Sequence, residues 1–170
     1  MSETQPQLKP NTLAFIALCN EYCNAVENAG QTDRDDFTVT MLRLLPRIYI
    51  TATDLDAGIE QYGDAYIEDT LTEDYYDAMR RAVEGLYGED DTYLDVFEED
   101  MKYSETPIAA SISEGIADLF QVLYNYLETV RDAPNDLIIE ATAAVREDFA
   151  QYWSRKLCDV LRAVNALKYN

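Results

Sequence analysis

Glu114, Asp118, Gln121 and Asn125 follow one another at i, i+4, i+7 and i+11, so they share one face of any helix that contains them. Two carboxylates and two amides in such a ladder could hold Mg²⁺ or Mn²⁺ if a second helix brought further acids, and Glu140, Glu147 and Asp148 are available for that. A centre of this kind would hydrolyse phosphate esters of nucleotides. The plain alternative is a solvated polar face lying opposite an apolar stripe.

A second constellation is acidic: Glu89, Asp90, Asp91, Asp95, Glu98, Glu99 and Asp100 crowd into one short stretch. It reads as a docking segment for a basic partner protein or, more plainly, as a source of solubility. Thirteen tyrosines, with Phe97, Phe120, Phe149 and Trp153, could line a pocket. Most of them fall at core-facing helical positions, which makes Tyr126, Tyr152 and Trp153 core residues with a satisfied polar tip. Glu114 or Asp118 could also meet Arg155 or Arg162 across a helix pair, which would fix register without catalysing anything.

Composition removes several classes of function. There is no histidine, which excludes His-based triads, His general bases and nearly all zinc or di-iron designs. Acids outnumber bases 33 to 13, a net charge of -20, and residues 54–105 alone hold 18 acids and three bases. A surface of that sign repels nucleic-acid phosphates and anionic lipid, so neither direct nucleic-acid binding nor membrane binding is expected. Cys19, Cys23 and Cys158 have no metal-ligand spacing, and no signal peptide or long apolar run is present, so a reduced, cytoplasmic protein is expected. No Gly-rich phosphate loop occurs, and no cofactor is implied.

The elements that must position these residues are helices. Residues 106–132 read as a central helix of about seven turns, with Thr106 as cap and Pro107 at the first helical position. Its stripe of Ile112, Ile116, Leu119, Leu123, Leu127 and Val130 is widened by Ile108, Phe120, Tyr124 and Tyr126, which requires neighbours on two or three sides. Before it, residues 1–10 read as a frayed terminus and 11–29 as a first helix ending at Gly30. A second helix is capped by Thr32 or Asp33 and kinked at Pro46, and its Arg43 and Arg47 are expected to meet acids of the middle segment.

Residues 52–71 read as an irregular acidic connection anchored by Ile59, Tyr62, Tyr66 and Ile67. Thr72 caps a third helix that Gly88 closes, with Leu71 stapled on Tyr76. Residues 89–103 read as a short helix, with an extended segment as the alternative, that packs Tyr93, Leu94, Val96 and Phe97 and exposes the acids. After Pro134 the apolar spacing continues from Ile138 to Leu167, a helix of over thirty residues that is antiparallel to the central one. The expected fold is all-α: one domain over residues 1–170, a bundle of five to six helices with a long C-terminal antiparallel hairpin.

The metal reading has one motif against it. All-α nucleotide pyrophosphatases use tightly grouped E-x-x-E and E-x-x-D pairs on facing helices, and this chain contains neither. Two blocks instead resemble the bacterial domain-of-unknown-function family 5063: residues 93–127, YLDVFEEDMKYSETPIAASISEGIADLFQVLYNYL, and residues 152–161, YWSRKLCDVL. The family pattern runs approximately YSxxPIAASISExLADIYQDL and, later, YWGxxLxxALRxLH; the first helix and Leu44-Leu45-Pro46 also fit. Val122 stands where the family has Asp, Ser154 where it has Gly and Asn165 where it has His. If those polar positions form a family site, part of it is missing here.

The resemblance implies a compact all-α cytoplasmic domain without an assigned activity. Members are encoded beside a 3'-5' exonuclease and an RNA methyltransferase, which implies a setting near nucleic-acid metabolism, reached through a protein partner. The expectation is a non-enzymatic interaction or regulatory module, with the divalent-metal nucleotide phosphohydrolase as the alternative and the oligomeric state left open.

Overall fold

In the computed structural model, which describes residues 6–56, 67–95 and 108–169, Pro10 opens α1 (Pro10–Glu27) at a position where its missing N–H is harmless. A 3₁₀ turn (Ala29–Gln31) leads to α2 (Arg34–Thr53). Asp33 caps α2 by accepting the Asp35 N–H at 3.1 Å, and Asp35 and Asp36 lie in the first turn, where the helix dipole favours them. The helix continues through Pro46. It runs on to Thr53, so Ala52 and Thr53 belong to its last turn and not to the expected connection.

Ile59, Tyr62 and Tyr66 lie outside the described residues. The chain is described again from Ile67, and Thr72 caps α3 (Glu73–Tyr87) through the Tyr75 N–H at 3.2 Å. Gly88 closes α3 with a φ of 53°, a conformation that glycine adopts without strain. The expected short helix after it is instead a 3₁₀ turn (Gly88–Asp91) and a strand, β1 (Thr92–Asp95). β1 pairs antiparallel with β2 (Ile108–Ser111), Thr92 opposite Ser111 and Asp95 opposite Ile108.

The central helix therefore starts later than its spacing predicts. α4 spans Ile112–Val130, and the expected cap at Thr106 and Pro107 lies outside the described residues. Ser111 Oγ accepts the Glu114 N–H at 3.1 Å, and Asp91 takes both the Ser113 N–H at 2.8 Å and the Ser113 hydroxyl at 2.6 Å. These two side chains satisfy amide donors that a helix start leaves open. Residues 108–111, read from sequence as helix, are thereby free to pair as β2.

α4 is the axis of the bundle and packs against α1, α3, α5 (Asn135–Asp148) and α6 (Ser154–Tyr169). Ile112, Ile116, Leu119, Leu123 and Val130 are buried, as are Phe120 and Tyr126, while Leu127 is half-buried. The expected long C-terminal helix is present with one refinement. α5 passes through a π-helical turn (Phe149–Trp153) into α6, and the Trp153 indole N–H donates to the Val145 carbonyl at 3.0 Å.

The hairpin is antiparallel. Tyr126 meets Thr142 near its closed end, and Gly115 meets Val160 at the other. Because the Thr142 hydroxyl donates to the Ile138 carbonyl at 2.6 Å, the Tyr126 hydroxyl is the donor in its 2.7 Å contact with Thr142. Tyr22 ties α1 to α4 by donating to the Ile116 carbonyl at 2.7 Å. Cys19 and Cys23 are buried small residues of this core, and burial pushes both thiols up. No helix among the described residues is long and apolar enough to cross a membrane.

Candidate functional site

The four-residue ladder on α4 does not act as a unit. Glu114 is exposed near the helix start, and Gln121 is half-buried. Asn125 is buried, and its Oδ1 accepts three donors: the Thr70 N–H at 3.1 Å, the Thr70 hydroxyl at 3.1 Å and the Leu71 N–H at 2.9 Å. Its amide donates to Asp69 at 3.2 Å. Asn125 therefore straps the segment before α3 onto the bundle, a structural task that occupies its full acceptor capacity.

Asp118 is held from two sides. One oxygen accepts the Tyr76 hydroxyl at 2.6 Å and the other lies 3.0 Å from Lys156 Nζ. The expected cross-hairpin ion pair thus forms, but with Lys156 and not with Arg155 or Arg162. A helical α6 turns Lys156 towards α4 one position after Arg155, which is exposed. Burial, then the hydrogen bond and charge of Asp118, then Glu114, push the Tyr76 phenol well above its ordinary value. Burial and Asp118 raise Tyr152 as well, against the opposing charge of Lys156. Tyr152 is 48 % exposed, so it stands at the edge of the core and not inside it as expected.

Beside Asp118 a cavity of about 50 Å³ is lined by Tyr93, Ser111, Glu114, Gly115, Lys156 and Asp159. That is room for one or two waters. Lys156 carries the positive charge among these carboxylates, in the place where the metal reading would put a divalent cation. Among the described residues no group of three or more acids or cysteines comes together as metal ligands, and Glu147 and Asp148 are exposed on α5. Tyr76 and Lys156 were legible in the sequence only as helix-face residues, with no motif to mark their meeting at Asp118.

The acidic segment divides into separate parts. Glu89 is exposed. Asp90 pairs with Arg34 at 2.6 Å, and Arg34 also lies over the Tyr87 ring. Asp91 is 5 % exposed and holds the start of α4, so it is withdrawn from any docking role. The backbone of Asp95 ends β1, while Glu98, Glu99 and Asp100 lie outside the described residues. Leu94, expected to pack, stands 60 % exposed on β1. Among the described residues Arg43 and Arg47, expected to meet the middle segment, pair with none of its acids: Arg34 makes the contact with Asp90, and Arg43 and Arg47 line a groove between α1 and α2.

An all-helical bundle around one central helix, with a two-stranded ribbon buttressing the start of that helix, defines a small acidic helical domain. The chain belongs to the DUF5063 family, a domain of unknown function, whose model matches residues 6–170. A search of curated proteins finds no match. Among solved structures the fold is similar to that of protein BF1032 from Bacteroides fragilis, with 26% sequence identity and a TM-score of 0.81, covering 95% of this chain and 94% of that one. The SISE block that carries the resemblance contains the Ser111, Ser113 and Glu114 of the α4 start, and Asp118 lies one turn further on.

Proposed function

We propose that this protein is a non-enzymatic, cytoplasmic interaction module whose acidic middle segment engages a basic partner protein. The observation that carries the reading is the position of Leu94. It is a large apolar side chain, 60 % exposed, in a stretch where acids outnumber bases 18 to three. An apolar anchor framed by like charges suits a partner that offers a basic rim and an apolar pocket. Within that stretch Asn125 holds residues 69–71 and Asp91 is tied to the start of α4, which fixes the positions from which the segment is presented. The family setting suggests a partner from nucleic-acid metabolism. The metal-dependent phosphohydrolase alternative has the two engaged oxygens of Asp118 against it.

The test is purification of the tagged protein from its own cells at low and at moderate salt, with mass spectrometry of what co-elutes. One stoichiometric basic protein, lost at the higher salt, is expected. Replacing Glu98, Glu99 and Asp100 together by Gln, Gln and Asn should weaken that complex at least tenfold, and Leu94→Ser should do so without changing the salt dependence. Undiminished binding by the triple variant would overturn the reading.

A further inference from the structure

In a chain of net charge -20, positive side chains are expected to find acids, and several of those described do. Arg34 pairs with Asp90, Arg80 with Asp77 and Glu84, Arg81 with Asp77, Arg131 with Glu128, and Lys156 with Asp118. Arg43 and Arg47 do not. They lie one turn apart on α2, where like charges repel, and neither forms an ion pair or hydrogen bond among the described residues. Glu21, which lines the same groove from α1, does not pair with either.

The groove has a volume of about 550 Å³, within the range of small-molecule sites. Ala25 and Leu44 contribute its apolar surface, and Asn24, Asn28 and Thr40 contribute polar groups. Those groups keep spare capacity. Asn28 uses its amide nitrogen on the Asn24 carbonyl at 2.7 Å, which leaves its Oδ1 free to accept. Thr40 donates to the Asp36 carbonyl at 2.9 Å and keeps its lone pairs. The Asn24 side chain forms no hydrogen bond among the described residues.

We propose that this groove binds the phosphate monoester of a small hydrogen-bonding molecule, with the size and chemistry of a nucleoside monophosphate. The phosphate sits on Arg43 and Arg47, whose planar guanidinium forks match its oxygens. A monoester carries between one and two negative charges at neutral pH, which two guanidiniums balance. The amino and hydroxyl groups of the organic part donate to Glu21, Asn28 and Thr40, and Asn24 can either donate or accept. The overall charge selects for small ligands, since a nucleic acid or a second copy of this chain would be repelled by the rest of the surface. The site is separate from the acidic segment and does not depend on the proposed docking role.

The probes are AMP, CMP, GMP and UMP, titrated into the full-length protein at low salt by calorimetry and by NMR. Adenosine, uridine and inorganic phosphate serve as comparisons. At least one monophosphate is expected to bind with a Kd below about 1 mM, shifting the side-chain amide signals of Asn24 and Asn28. The parent nucleoside should bind at least tenfold more weakly. Arg43→Gln and Arg47→Gln should each weaken binding at least tenfold with unchanged thermal melting, because both side chains are exposed. Arg81→Gln, the same charge change on the exposed face of α3, should leave the affinity as it is. Absence of any shift with all four nucleotides would overturn the proposal. So would equal affinity for inorganic phosphate, which would mean an adventitious ion only, or undiminished binding by both arginine variants.

Discussion

Asn125 Oδ1 accepts the Leu71 N–H at 2.9 Å, so a side chain of α4 supplies the hydrogen bond that a neighbouring strand would otherwise give to an extended segment. The same oxygen takes the Thr70 N–H at 3.1 Å, and Asn125 is only 9% exposed. Asn125→Ala removes the acceptor and leaves backbone donors unsatisfied next to the core. We expect a loss of about 2–4 kcal/mol, read as a lower urea midpoint with an unchanged m-value. Because Leu71 directly precedes the cap of α3, amide exchange should speed up most at the start of that helix. A loss below about 0.5 kcal/mol would mean that the strap is not held by Asn125.

At Gly115, α4 and α6 approach too closely for a Cβ. A Cβ built there would lie 2.4 Å from Val160 Cγ2, well inside contact distance, and Val160 is fully buried. Gly115→Ala gains about 1 kcal/mol of helix propensity and loses more than that to overpacking, for a net destabilisation of about 1–2 kcal/mol. Val160→Ala alone leaves a cavity. The double variant should be more stable than the sum of the two single effects predicts, a positive coupling measurable in a double-mutant cycle. Simple additivity would show that the helices shift apart freely.

How much of this was legible in the sequence differs from element to element. The caps at Asp33 and Thr72 and the stop at Gly88 were readable because each is a local interaction between a side chain or a φ angle and the next few amides. The start of α4 was not. Its cap is completed by Asp91, 22 residues upstream of Ser113, and a buried carboxylate of that kind looks in the sequence like one more acid in an acidic run. The apolar spacing of 106–132 fits a helix throughout, so only the ribbon pairing excludes residues 108–111 from it.

The ladder of Glu114, Asp118, Gln121 and Asn125 was correctly placed on one helix, since i, i+4 spacing is geometry. What each member does depends on partners supplied by other elements: Lys156 from α6, Tyr76 from α3 and the 69–71 segment. Arg43 and Arg47 illustrate the same limit from the other side. Their proximity was readable, but among the described residues the base that meets a middle-segment acid, Asp90, is Arg34 at the start of α2.

Alkaline pH offers a test of the tyrosine network. Tyr22, Tyr76, Tyr87 and Tyr126 all hold their phenol protons above the ordinary value of 10.0, with burial the largest cause in each case. Tyr22 and Tyr126 use those protons to bond the Ile116 carbonyl and the Thr142 hydroxyl, and Tyr76 uses its proton on Asp118. In the unfolded chain each phenol ionises near pH 10. Above that pH the unfolded state binds fewer protons than the folded one, so stability falls with rising pH. The contribution is complete below about pH 10 and is lost as the pH climbs towards the raised folded values. Urea denaturation in steps from pH 8 upwards should therefore show a stability that drops steeply at the alkaline end. The tyrosinate absorbance of the buried Tyr22, Tyr87 and Tyr126 should appear together with the loss of helical circular dichroism. Tyr22→Phe and Tyr126→Phe should each make the alkaline slope shallower while lowering stability at neutral pH through the lost hydrogen bond. If the full tyrosinate signal developed while the helices stayed intact, these phenols would be open to solvent and the burial argument would fail.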